Sequence, residues 1–213
     1  MSRPFPLALV IFGVLAVGSN AFAADTPNDP QAVFNFEKEL DLLRSGDTSV
    51  DFTKLRLGLA QTKAFSPYAI KERELRNNVV AAVNAGDCEK ALDVVDQIFE
   101  INYLYPDAHM GAMICHDALG NSREAAFHRA VLGELFRSIC GPEEGYNESN
   151  PCTVIATYEE YFVLQSLGLT FKSQGLISYA GKPCDILTAV DPESGKEVTI
   201  FFDVSLAFNR MAD

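Results

Sequence analysis

Two stretches of this chain repeat one another at a fixed distance, and that repeat restricts the fold more than any other feature. Gly86-Asp87-Cys88-Glu89-Lys90-Ala91 is answered 34 residues later by Gly120-Asn121-Ser122-Arg123-Glu124-Ala125. Apolar positions keep the same offset: Val79 with Met113, Val80 with Ile114, Ala85 with Leu119, and Ile98 with Leu132. In each copy a run of helical period precedes the glycine and another follows it. Each glycine therefore reads as a helix stop, and the polar residue behind it as the cap of the next helix. The small Ala91 and Ala125 let the two helices of each hairpin approach closely. A hairpin of this kind cannot bury its apolar face alone, so successive copies must stack.

The 34-residue step is the period of tetratricopeptide arrays. Here the small residue expected early in the first helix and the proline expected at the end are displaced or missing, so the hairpins are expected to be tetratricopeptide-like. Upstream, residues 31–44 carry Val33, Phe34, Phe36, Leu40, Leu42 and Leu43 at helical spacing, with Gly46 as a stop. A second helical stretch runs to about Lys63 and is broken before Pro67. Helices follow over about 69–85, 87–103, 106–119, 122–139 and 153–167. Beyond Gly168 the period changes to β-prone runs at 176–180, 184–190 and 198–204, separated by turn formers. The fold class that follows is mainly α (α+β): helical hairpins over about 31–167, then a small three-stranded antiparallel sheet over about 175–206. Both belong to one domain spanning 24–213.

The first residues read as a cleavable leader. Arg3 precedes an apolar run from Leu7 to Val17, and Ala21-Phe22-Ala23 offers the small-x-small pattern of a signal peptidase site. The run is too short to span a bilayer, which takes ~20 apolar residues. Residues 1–23 are thus expected to be a signal peptide, and the mature chain to be periplasmic or extracellular and off the membrane. The formal charge of −12 at pH 7 argues against nucleic acid and anionic lipid, whose binding rests on Lys and Arg.

Five cysteines, Cys88, Cys115, Cys140, Cys152 and Cys184, are consistent with an oxidising compartment. Cys140 and Cys152 flank a loop rich in Gly, Pro, Asn and Glu, so their pairing is expected. Cys88 and Cys115 fall on helices that neighbour one another in stacked hairpins and form the second expected pair. Cys184 is left over. No CxxC or HExxH spacing occurs, and neither a metal nor a cofactor is expected.

Three other residue groups carry candidate chemistry. His109 and His128 lie on consecutive helices and could meet across a hairpin, where Glu159 or Glu160 could join them in a metal or acid–base site. The alternative is that these histidines are hydrogen-bonded core residues. Glu159 and Glu160 point about 100° apart on a helix, so one of them is expected to be solvated. Lys54, Arg56 and Tyr68, with Phe52 and Phe65 nearby, suggest a groove that takes a peptide. A Gly-rich phosphate loop, a GxSxG nucleophile and any Trp are absent.

From Val50 onward the chain resembles a group of exported bacterial proteins that share a domain of unknown function. The residues that carry the resemblance are Asp51-Phe52-Thr53-Lys54-Leu55-Arg56, Pro67-Tyr68, Ala108-His109, Leu119-Gly120, His128, Ser138-Ile139, Glu159-Glu160-Tyr161 and Phe201-Phe202-Asp203-Val204-Ser205. The resemblance implies a helical, tetratricopeptide-like fold with a β tail, and no activity. The short Gly-Asp-Gly loop of that group is replaced by Cys140-Gly141-Pro142-Glu143-Glu144-Gly145. The function expected from the whole is a non-catalytic protein- or peptide-interaction module of the bacterial envelope. A hydrolase or metal-dependent enzyme built on His109, His128 and Glu159 or Glu160 is one alternative, and a periplasmic immunity or inhibitor protein is another.

Overall fold

The structure is a computed structural model that describes residues 30–211, so the expected signal peptide at 1–23 lies outside the described residues. Six helices come first: α1 (Pro30–Arg44), α2 (Phe52–Gln61), α3 (Ile70–Asn84), α4 (Cys88–Ile101), α5 (Pro106–Ala118) and α6 (Ser122–Ile139). A two-residue strand β1 (Cys152–Thr153) and helix α7 (Thr157–Ser166) lead into strands β2 (Thr170–Tyr179), β3 (Lys182–Val190) and β4 (Glu197–Asp203), and α8 (Ser205–Met211) follows.

The sequence repeat corresponds to a repeat in backbone bonding. After α3 the chain turns through Gly86 at φ 72°, and after α5 through Gly120 at φ 78°. The Asp87 N–H donates to the Ala82 carbonyl, and 34 residues on the Asn121 N–H donates to the His116 carbonyl. The bonds Gly86 N to Val83 O and Gly120 N to Asp117 O correspond in the same way. Both glycines sit in the left-handed region, where a Cβ is penalised. Asp87 then caps α4, its carboxylate accepting the Lys90 N–H at 3.2 Å. Asp51 caps α2 in the same way, through the Lys54 N–H at 3.0 Å.

Ala91 and Ala125 are both buried. Helix α5 packs on α3 as well as on α4 and α6. The α3–α5 contact is made through Gly111, where an added Cβ would lie 2.5 Å from Val79 Cγ1. The main core runs from Phe36, Leu40 and Leu43 of α1 through Ile98, Val131 and Leu135 to Phe162, Leu187 and Phe202.

The sheet departs from the expectation. It has four strands in the order β1-β4-β3-β2, and β1 pairs parallel with β4, Cys152 opposite Phe202. Only β2–β3 and β3–β4 are antiparallel. Residues 153–156, expected to be helical, lie outside α7: Thr153 belongs to β1, the Cys140–Cys152 disulfide fixes one end, and the Arg56 guanidinium donates to the Thr153 carbonyl. The β2–β3 turn is Ala180-Gly181, at φ 50° and 81°, the two positive values that a tight hairpin needs. Gly181 lies in the turn as its residue type suggests, whereas the Lys182-Pro183 that follow it are already the first residues of β3.

Candidate functional site

The structure joins the two histidines but not the histidines to the carboxylates. His109 on α5 and His128 on α6 approach Nδ1 to Nδ1 at 2.9 Å, and His109 Nε2 lies 2.7 Å from the Tyr103 carbonyl. A carbonyl only accepts, so His109 Nε2 carries the hydrogen. His109 Nδ1 is then the acceptor and His128 Nδ1 the donor. This arrangement requires the His109 ring to be neutral. Burial, reinforced by His128, pushes the His109 pKa down to about 3. Burial and His116 push His128 down to about 4. Phe99 packs on His109 at 4.7 Å between ring centroids, and His116 stacks on His128 at 5.6 Å. Both nitrogens of His109 are already engaged.

Arg56 corrects the expectation of a basic groove. It is buried, 1 % exposed. Its Nε and Nη2 meet Glu159 Oε1 and Oε2 at 2.8 and 2.6 Å, and its other N–H groups donate to the Ser138 and Thr153 carbonyls. The Ile155 N–H adds a bond to Glu159 Oε2 at 2.9 Å. One guanidinium thus ties α2, the end of α6, β1 and α7 together. Lys54 stays at the surface, paired with Asp51 at 3.5 Å, and Tyr68 is half exposed. The three residues expected to line a groove do not share one surface, because Arg56 turns inward to satisfy the buried carboxylate.

Glu160 points the other way from Glu159, as adjacent helical positions require, but it is not solvated. It is 0 % exposed and its Oε1 has no hydrogen-bond partner. Burial, then the neighbouring Asp185 and Glu159, push its pKa up to about 8, so near neutral pH it holds its proton. Burial also raises Asp185. Gln174 of β2 covers the pair: its amide donates to Asp185 Oδ2 at 2.6 Å and reaches Glu160 Oε2 at 3.4 Å, while the Tyr161 hydroxyl donates to Gln174 Oε1 at 3.2 Å. Among the described residues no hydrogen bond links His109 or His128 to Glu159 or Glu160. No group of three or more His, Cys, Asp and Glu side chains there is placed to hold a metal ion.

The surface outside these clusters has one unusual element. Strand β2 is the edge of the sheet, and all ten of its residues are exposed. Its apolar side chains stand on both faces: Leu176 follows Gln174 on the helix side, and Ile177 and Tyr179 stand opposite. Leu176 is 54 % exposed and Phe171 43 %. The Tyr161 ring, also exposed, packs edge-on against Phe171 at 5.5 Å. The only charged residue of the strand, Lys172, is paired with Glu197 of β4. Long apolar edges are ordinarily blunted by charge, bulges or cover. This one has a single irregularity, between Phe171 and Ser173. The sequence signal was the consecutive Leu176-Ile177 in a strand, which puts apolar groups on both faces of an element that cannot be buried on both.

A cavity of about 190 Å³ lies elsewhere, between α1, the end of α2 and the α4 C-terminus, lined by residues including Arg44, Leu59, Phe99 and Tyr103. The guanidinium of Arg44 stands over the Tyr103 ring at 5.5 Å. Among the described residues no helix is long and apolar enough to cross a membrane. No protein-family profile, curated protein or solved structure matches the chain.

Proposed function

We propose that this is an exported, non-catalytic interaction module that binds an extended, basic segment of a partner protein by strand addition to β2. The observation that carries the reading is the ten-residue edge strand, exposed throughout and apolar on both faces. An incoming strand would satisfy the row of free backbone groups, and alternate side chains would meet Leu176 on one face and Ile177 and Tyr179 on the other. Export follows from the leader pattern in the first 23 residues.

Charge decides between occupants. Two copies of a chain with net charge −12 repel at low ionic strength, whereas a segment bearing Lys or Arg is attracted. Asp191 and Glu193 lie in the turn between β3 and β4, at the end of β2 that starts with Thr170, and would meet those cations. An acidic module that holds a basic partner in this way also suits an inhibitor or immunity protein. The enzyme reading has less support, because the nitrogens of His109 and the oxygens of Glu159 are already committed to structural bonds.

A phage-displayed library of random decapeptides, panned at low salt against the disulfide-intact protein, tests the reading. The enriched peptides should alternate apolar residues with Lys or Arg. They should lose at least tenfold in affinity for a Leu176→Lys variant whose circular dichroism is unchanged. Failure to enrich any sequence, equal binding to Leu176→Lys, or a concentration-dependent dimer abolished by that substitution would each overturn it.

A further inference from the structure

We propose that Cys88 and Cys115 form a redox-labile cross-link between α4 and α5, thiols in the reduced chain and a disulfide once an exchange partner of the disulfide class, such as oxidised glutathione, is supplied. The expected bond between them is not formed in the structure, where both are free thiols. They are nevertheless placed together. Cys88, Cys115, Ala82 and Ala91 make a small apolar cluster separate from the main core.

The two sulfurs are not equivalent. Cys115 is fully buried, whereas Cys88 is 9 % exposed and begins α4 directly after its Asp87 cap. Cys88 is therefore the more accessible of the two thiols to an external disulfide. Its thiolate attacks one sulfur of oxidised glutathione, breaking that S–S bond, forming a mixed disulfide and releasing one glutathione thiolate. The Cys115 thiolate then attacks the Cys88 sulfur and releases the second glutathione. The two cysteines lose two electrons and two protons. The glutathione disulfide gains the electrons and is reduced to two thiols. Burial pushes the Cys115 thiol up to about 12, so the second step is the slow one. Closure would fasten one helical hairpin to the next. Cys184, buried with its thiol on the Asp185 carbonyl, is an internal control, and Cys140–Cys152 is already closed.

The test uses the folded protein, first with Cys140–Cys152 intact and then after incubation with oxidised glutathione. Each sample is acid-quenched, denatured, alkylated with iodoacetamide and mapped as non-reduced peptides. Before oxidation three cysteines should alkylate. Afterwards one should, Cys184, and a Cys88–Cys115 linked peptide should appear. In a Cys88→Ser variant Cys115 should stay alkylatable under the same treatment. Three alkylated cysteines after oxidation, a stable glutathione adduct on Cys88 without closure, or a cross-link that includes Cys184 would each overturn the proposal. The wild-type peptide map decides the matter even if the variant does not fold.

Discussion

Replacing Glu160 with Gln should make the protein more stable, by an amount that grows with pH. In the folded chain the Glu160 pKa is about 8 against an ordinary 4.5. Between those values the folded state holds a proton that the unfolded state has lost. Stability contributed by this group is therefore full below pH 4.5 and falls as pH rises toward 8. Each pH unit inside that interval changes the folding constant up to tenfold, and integrating from pH 5 to pH 8 gives a loss of about 3 kcal/mol. Glutamine has nearly the same shape and cannot ionise, so Glu160→Gln removes this loss. Its stability advantage over the wild type should be about 3 kcal/mol larger at pH 8 than at pH 5. Urea denaturation of both proteins across that range, without reductant so that Cys140–Cys152 stays closed, measures the difference. Asp185 remains in both proteins, so its own titration largely cancels. A difference that does not change with pH would refute the argument that Glu160 is desolvated and protonated in the fold.

Three further outcomes are expected. Arg56→Met should cost about 3–5 kcal/mol because it strands the buried Glu159 carboxylate, and adding Glu159→Leu should recover much of that loss in the same urea assay. Gly145→Ala should cost about 2–4 kcal/mol, read from its denaturation midpoint. Gly145 sits at φ 84°, and an added Cβ would fall 2.7 Å from Cys152 Sγ and 3.0 Å from Ile200 Cγ2. On the acid side the histidines should dominate. Their folded pKa values of about 3 and 4 lie below the ordinary 6.5, so the stability they contribute is full above pH 6.5 and is lost as pH falls toward 4. His109→Gln should flatten this acid limb of the stability profile.

The helices were legible because their periodicity and stops are local. Gly86, Gly120 and the Asp87 cap can be read without any tertiary contact, and the backbone repeats at the spacing they imply. The meeting of His109 and His128 was legible for the same reason, since a hairpin of known register brings them together. Arg56 was not legible. Its sequence neighbours Lys54 and Asp51 suggest a charged surface, and the carboxylate that draws it inward is 103 residues away. Strand β1 is two residues long; the disulfide at its start was expected, but the distant guanidinium that holds Thr153 leaves no pattern. The first half of β2, Thr170 to Gly175, was missed because alternation marks a strand only when one face is buried, and here neither is. One of Glu159 and Glu160 was read as solvated, and both are buried, because a buried carboxylate has the same letter as a surface one.

Amide hydrogen exchange on β2, with and without a saturating peptide from the decapeptide selection, tests most directly whether that edge is the docking site. Strand addition predicts new protection at alternate amides between Thr170 and Tyr179, those pointing away from β3, and little change in the helices. Protection that appears instead around the cavity beside Phe99 and Tyr103, with β2 exchanging as fast as in the free protein, would contradict the account.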